Sequence, residues 1–151
     1  MNADEKRDEL NGITERVIGC AYKVSNTLGC GFLEKVYENS MAHEERKNGL
    51  RVEQQYPVQV AFDGIVVGEF VADLLVEGTV VVAVKTVKEL DDIHVAQCLN
   101  YLKATGLTVC MLINFGKSRG DIRRIVNNFR FNSVLSACIR VHPRLISFFA
   151  V

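Results

Sequence analysis

Apolar residues recur at helical spacing along the opening of the chain. Over residues 8–28, Leu10, Ile13, Val17, Ile18, Ala21, Val24 and Leu28 fall on one side of a helix. That spacing belongs to an element with one buried face. Gly29-Cys30-Gly31 ends the pattern and frees the backbone to turn. A second helix is predicted over residues 32–48, with Leu33, Val36, Tyr37 and Met41 toward the core and Gly49 closing it. From Arg51 the period becomes two, with Tyr56, Val58 and Val60 alternating with Pro57, Gln59 and Ala61. Asp63-Gly64 suits a two-residue hairpin turn, because both positions accept positive φ.

The returning strand spans residues 65–76, bent near Gly68, and Glu77-Gly78-Thr79 turns the chain again. Residues 80–87 form an almost unbroken apolar run, the mark of a central strand covered on both faces. Residues 92–105 return to helical spacing and stop at Gly106, and residues 107–115 form another buried strand. The order is helix, helix, three-stranded meander, helix, strand, then a basic segment. It predicts an α/β fold, an α+β sandwich with a mixed sheet, in one domain over residues 1–151.

Composition narrows the function less than the pattern does. Lysine plus arginine (18) equals aspartate plus glutamate (18), so any nucleic-acid surface must be local. Five cysteines (Cys20, Cys30, Cys98, Cys110 and Cys138) contain no C-x-x-C pair, and only three histidines accompany them, which argues against zinc. Reduced thiols and a charged N-terminus without a signal-like apolar stretch are expected of a cytoplasmic protein. No run is long enough to span a membrane. Residues 131–151 carry Val134, Leu135, Ile139, Leu145, Ile146, Phe148 and Phe149, an apolar set expected to cover the domain or to form a homo-oligomer surface.

The chemistry-bearing residues cluster at Asp73, at Ala83-Val84-Lys85 and at Gln97-Cys98-Leu99-Asn100-Tyr101. Residues 83 and 85 share a strand face. A three-residue loop at 77–79 would set Val76 opposite Val80 and Asp73 opposite Ala83, gathering Asp73, Ala83 and Lys85. A two-residue loop would send Asp73 to the other face. Paired carboxylates on adjacent strands are what a hard divalent cation requires, and a lysine beside them can orient water or steady phosphate charge. Gln97 and Tyr101 share a helix face, and His94 lies one turn earlier. Glu34 opens the second helix, where an acid complements the helix dipole and could also reach the site.

Together these residues resemble the GxxExxY proteins, a branch of the PD-(D/E)XK nuclease superfamily close to the RecB and λ-exonuclease type. The motif stands as Gly31-Phe32-Leu33-Glu34-Lys35-Val36-Tyr37, and the resemblance covers about residues 9–130. It implies a restriction-endonuclease-like core, a Mg²⁺ or Mn²⁺ cofactor and DNA as partner. It also implies Glu34 and Asp73 as metal-site acids, Lys85 as catalytic lysine, and Gln97 and Tyr101 as supports. The acid of the E-x-K motif falls on Ala83, so metal binding and catalysis are expected to be impaired. Glu77 and Glu89 are no obvious substitutes.

Each residue also has a plain structural reading. Asp73 could sit in a turn, Lys85 could snorkel from a strand end, Gln97 and Tyr101 could flank a helix, and His94 is expected to bond locally. Lys117, Arg119, Arg123, Arg124 and Arg130 could form a solvated face or bind phosphates without reading sequence. The competing functions are thus an impaired DNA nuclease, a non-catalytic nucleic-acid-binding module and an oligomeric interaction subunit.

Overall fold

A computed structural model describes residues 2–127 of the chain. Helices α1 (Ala3–Leu28) and α2 (Glu34–Lys47) precede strands β1 (Val52–Phe62), β2 (Ile65–Val76) and β3 (Val80–Lys85). Helix α3 (Asp92–Thr105) leads to β4 (Val109–Asn114) and β5 (Asp121–Val126). The strands form one sheet in the order β1-β2-β3-β4-β5. Only β3 and β4 run parallel, joined through α3, and every other neighbouring pair is antiparallel. The result is the α+β sandwich expected, with a restriction-endonuclease-like core.

Two apolar layers hold it together. On one face, Val17, Ala21 and Val24 of α1 and Tyr37 and Met41 of α2 pack on Leu74, Val76, Val80, Val82, Val84, Met111 and Ile113. On the other, Cys98 and Leu102 of α3 pack on Leu75, Val81, Ala83, Cys110 and Leu112. Successive residues of β3 thus enter opposite layers, which is why that strand reads as unbroken apolar sequence. The core strands β3 and β4 are covered on both sides.

Loop chemistry sets the register. Asp63 and Gly64 take φ 51° and 74°, as a two-residue hairpin with the twist of its strands demands. The β1–β2 register shifts between Val60 and Ala61, opposite Gly68 and Val66, placing the expected bend at an extra residue, Val67. Glu77 and Gly78 take φ 53° and 64°, and Val76 faces Val80 across a three-residue loop.

Four expectations need correction. Helix α1 begins at Ala3, not near residue 8, because the Asn2 side chain accepts the Glu5 amide (2.8 Å) while Glu5 accepts the Asn2 amide (3.0 Å). That reciprocal cap supports a first turn that is wholly solvated. Leu33 and Val36 do not face the core, being 80% and 37% exposed. Leu33 is the N-cap of α2; Tyr37 and Met41 do face the core as expected, and the buried face adds Glu38, Ala42, Glu44 and Glu45. Strand β3 ends at Lys85 rather than at residue 87. The basic segment contains a strand, β5, whose adjacent Arg123 and Arg124 hide its period. As an edge strand it buries only Ile125 fully, and charges on its exposed positions discourage further pairing. The apolar set of residues 131–151 and Arg130 lie outside the described residues.

Candidate active site

The sheet opens between β2 and β3, and Asp73, Lys85, Glu34 and Tyr101 of the candidate residues lie toward that opening. The β2–β3 ladder runs from Val76↔Val80 to Leu74↔Val82 and stops one position short of Asp73 and Ala83. In its place the Asp73 carboxylate accepts the Val84 amide at 2.8 Å. Desolvation raises the Asp73 pKa against the lowering effect of that hydrogen bond; the Glu38 charge adds to the rise, and Lys85 and Lys35 oppose it. Lys85 is half-buried at the end of β3.

Glu34 approaches from the first turn of α2. Desolvation raises its pKa, Lys85 counters, and Asp73 and Glu38 add to the rise. The two acids and the lysine therefore lie within reach of one another's fields. The glycine-bounded loop between the helices places Glu34, and Tyr37 fixes that loop. The Tyr37 hydroxyl donates to the Gly29 carbonyl at 2.6 Å and accepts the Phe32 amide at 3.3 Å. Its ring stacks on Phe115, with centroids 4.7 Å apart. Gly31 takes φ 115°, which a side chain would strain. In this chain the motif tyrosine anchors, and the motif glutamate is what it positions.

Two residues not singled out in the sequence hold the end of β3. Asn114, fully buried and paired with Lys85 in the parallel ladder, receives the Val87 amide (3.0 Å) and the Gly116 amide (2.9 Å) on its side-chain oxygen. Its side-chain nitrogen donates to the Val87 carbonyl at 2.8 Å. Gly116 makes this closeness feasible, since a Cβ there would lie 2.2 Å from the Val87 oxygen. A third unforeseen residue is Glu38. Its carboxylate, 3% exposed, accepts Lys35 (2.7 Å), Gln54 (2.9 Å) and Gln55 side chains. No spacing in the sequence separates it from the other acids of α2.

From α3, Tyr101 reaches the opening. Its hydroxyl contacts the Val71 carbonyl at 3.5 Å, and its ring packs on Phe70 with centroids 4.7 Å apart. Burial, with Asp73 and then the neighbouring thiols and Glu34 adding to it, pushes its pKa up to about 12, so it serves as a neutral donor. Gln97 is exposed on α3, and among the described residues no hydrogen bond ties it to the acids. His94 accepts the Asp91 amide on Nδ1 at 2.9 Å and caps α3, the local role expected of it.

The basic residues do not make one surface. Lys117 pairs with Glu89 at 2.8 Å, and Arg123 approaches Asp121 at 3.9 Å. Arg123 lies opposite Leu112 and Arg124 opposite Met111, so the two point to opposite faces of β5. Arg119 is exposed in the β4–β5 loop.

Ala83 is 2% exposed in the α3-side layer, opposite Leu112 on β4. Its methyl offers no oxygen, and one Asp73 oxygen already accepts Val84. Among the described residues no three His, Cys, Asp or Glu side chains come together to hold a metal ion. A hard divalent cation takes about six oxygen ligands, and the residues present do not complete such a set.

A mixed sheet between helical layers, with an acid and a lysine on neighbouring strands at its opening, defines a restriction-endonuclease-like domain. A family model described as "PD-(D/E)XK nuclease superfamily" matches residues 11–125, and the chain belongs to that superfamily. No curated protein matches it in sequence. Among solved structures it is similar to one titled "Crystal structure of SSO0001", at 14% identity and a TM-score of 0.51. That likeness covers 72% of this chain and 59% of the other, and it supports the fold alone. No helix among the described residues is long and apolar enough to cross a membrane.

Proposed function

We propose that this chain is a DNA phosphodiesterase scaffold of the GxxExxY branch, near the RecB and λ-exonuclease type, with its hydrolytic step impaired at Ala83. The reading is supported by the Asp73–Val84 hydrogen bond where β2 and β3 part, and by the buried alanine at position 83. It is supported too by the electrostatic influence of Glu34, Asp73 and Lys85 on one another and of Asp73 and Glu34 on Tyr101. In this reading Lys85 steadies charge on a bound phosphate, and Tyr101 donates a hydrogen bond from its neutral hydroxyl. Asp73 ties β2 to β3 while presenting its second oxygen, and Glu34 closes the opening from α2. Gln97 binds substrate from the exposed face of α3. Of the basic residues Lys117, Arg119, Arg123 and Arg124, those on the face the nucleic acid occupies contact its backbone, since Arg123 and Arg124 lie on opposite faces of β5. A divalent cation, Mg²⁺ or Mn²⁺, would polarise the phosphoryl oxygen when bound. Asp73 and Glu34 are its two candidate ligands here, and alanine stands at position 83 where the motif has a third.

The test is cleavage of labelled single- and double-stranded DNA with Mg²⁺ or Mn²⁺, comparing this chain with Ala83→Glu. Restoring one metal ligand is expected to raise cleavage by at least about 100-fold, since a bound metal supplies several kcal/mol of charge stabilisation. Adding Lys85→Met to Ala83→Glu should abolish the gain. If Ala83→Glu cleaves no form of DNA, the reading fails.

A second reading, non-catalytic nucleic-acid binding, is favoured by the alanine in place of the motif acid at position 83 together with the basic residues of the 117–124 stretch. It requires DNA affinity that falls with salt, and a salt slope lowered by neutralising Arg123 and Arg124 together. Binding that is absent or indifferent to salt counts against it.

A further inference from the structure

One irregularity in the sheet lies directly across from Asp73. On a regular strand, residues two apart share a face. Here Leu74 packs in the layer of α1 and α2, whereas Ala72 packs in the layer of α3. Strand β1 changes face at the same level. Gln54 reaches Glu38 on α2, whereas Tyr56 packs against the α3 layer. Gln54↔Leu74 and Tyr56↔Ala72 are paired, and Gln55 and Asp73 between them drop out of the ladder. Both strands therefore switch face at one point, and Asp73 sits at the switch.

The backbone at Gln55 shows how this is done. Its φ is 52°, a left-handed value that a β-strand glutamine adopts only at a cost of about 1 kcal/mol or more. That conformation turns the side chains of consecutive residues toward one acceptor. Gln54 and Gln55 both donate their amides to the carboxylate of Glu38, and Lys35 anchors the same carboxylate from its own helix. Gln54 also donates to the Asn39 side chain at 2.9 Å, which ties the strand to α2 a second time. Three donors on one nearly fully buried carboxylate make a rigid acceptor.

We propose that Glu38 is a positioning residue. By collecting the Gln54 and Gln55 amides it holds Gln55 left-handed, breaks the β1–β2 ladder opposite Asp73, and so fixes the Asp73 carboxylate on the Val84 amide at the mouth of the site. The clamp acts through Asp73 and need not touch a substrate. It deepens the nuclease reading above, but the geometry it explains belongs to the chain whether or not the chain cuts DNA.

Hydrogen exchange of the Val84 amide is the direct readout, followed by NMR beside the amides of Val81 and Leu112 as internal references. Glu38→Ala should speed Val84 exchange by about tenfold, the loss of one charge-assisted hydrogen bond, and leave the reference amides within about twofold. Gln55→Gly, added to Glu38→Ala, should restore Val84 protection, because glycine takes the left-handed conformation unaided. A merely structural role for Glu38 would not be rescued from β1. Should Glu38→Ala not fold, Glu38→Gln keeps one acceptor oxygen and should speed Val84 exchange at least about threefold. Val84 exchange unchanged in the folded Glu38 variant, or a loss that Gln55→Gly does not rescue, overturns the proposal. The DNA-cleavage result for Ala83→Glu leaves this readout untouched, so either idea can fail alone.

Discussion

Replacing Glu45 with glutamine or leucine is expected to stabilise the fold at neutral pH and to remove much of the pH dependence of its stability. Glu45 is 0% exposed on α2, and neither carboxyl oxygen has a hydrogen-bond partner among the described residues. Burial lifts its pKa from 4.5 to about 8, with Arg46 pulling weakly the other way. The group facing it from α1 is the Cys20 thiol, itself raised to about 11 by burial first and by the Glu45 and Glu44 charges next. Cys20 therefore stays protonated over the relevant range. Glu44, held ionised by Lys23 and Lys47, is common to every variant compared.

In the unfolded chain the Glu45 carboxyl loses its proton near pH 4.5, and in the fold it keeps it up to about 8. Unfolding between those values releases a proton, so stability falls as pH rises, by about 1.4 kcal/mol per unit. At pH 7 the gap of 2.5 units (7 − 4.5) corresponds to about 3 kcal/mol lost relative to acid conditions. Urea denaturation at a series of pH values from about 5 to 9 measures it. The difference between Glu45→Gln and the parent should widen by about 1.4 kcal/mol per unit up to near pH 8 and then level off. Glu45→Leu should add a further gain from apolar burial, of about 1 kcal/mol or more. A variant-minus-parent difference that stays flat from pH 5 to 8 would refute the assignment of a neutral, unpartnered buried carboxyl.

Two further outcomes test other parts of the fold. Gly116→Ala should destabilise by about 3 kcal/mol, because the new methyl meets the Val87 carbonyl within 2.2 Å and backbone, not a flexible side chain, must move; a loss under about 1 kcal/mol in chemical denaturation would contradict the close approach. Native thiol titration should show Cys30 reacting at once, while buried Cys20, Cys98 and Cys110 wait for opening of the fold. Cys30→Ser should remove one fast-reacting thiol, and an unchanged burst would place Cys30 inside.

Period and turn chemistry made most of the elements legible. The central strand showed itself because both its faces are buried, and the Asp73 alignment followed once the 77–79 loop was known to hold three residues. Strand β5 was hidden for the opposite reason, since an edge strand needs few apolar residues and two adjacent arginines erase its alternation. The faces of α2 were misjudged because Leu33 and Val36 are apolar yet exposed, while Glu38, Glu44 and Glu45 are acidic yet buried. Hydrophobicity finds Tyr37 and Met41 on the buried face but misses the acids that share it. The site acids were visible as types, but their meeting depends on where β2 parts from β3. That parting is a property of two strands switching face together, which no single-strand period records.

Glu38 and Glu45 make the limit concrete. They lie seven residues apart (45 − 38) on α2, two helical turns on one face, and are 3% and 0% exposed. In sequence, Glu38 differs from Glu45 in having Lys35 one turn before it, where Glu45 has Ala42. The rest of their difference comes from what arrives later in the chain. Strand β1 brings Gln54 and Gln55 to Glu38, and Lys35 completes its shell, so burial there strengthens every hydrogen bond. No hydrogen-bond partner among the described residues reaches the Glu45 carboxyl, and the same burial instead drives off its charge. One buried glutamate is therefore a fixed acceptor from which the strand opposite Asp73 can be held. The other is a neutral acid that lowers stability as soon as it ionises. Exchanging them by mutation should expose that asymmetry: Glu38→Leu is expected to destabilise by about 3 kcal/mol by orphaning its donors, whereas Glu45→Leu is expected to stabilise. Equal signs in paired denaturation curves would mean that partner supply does not decide between them.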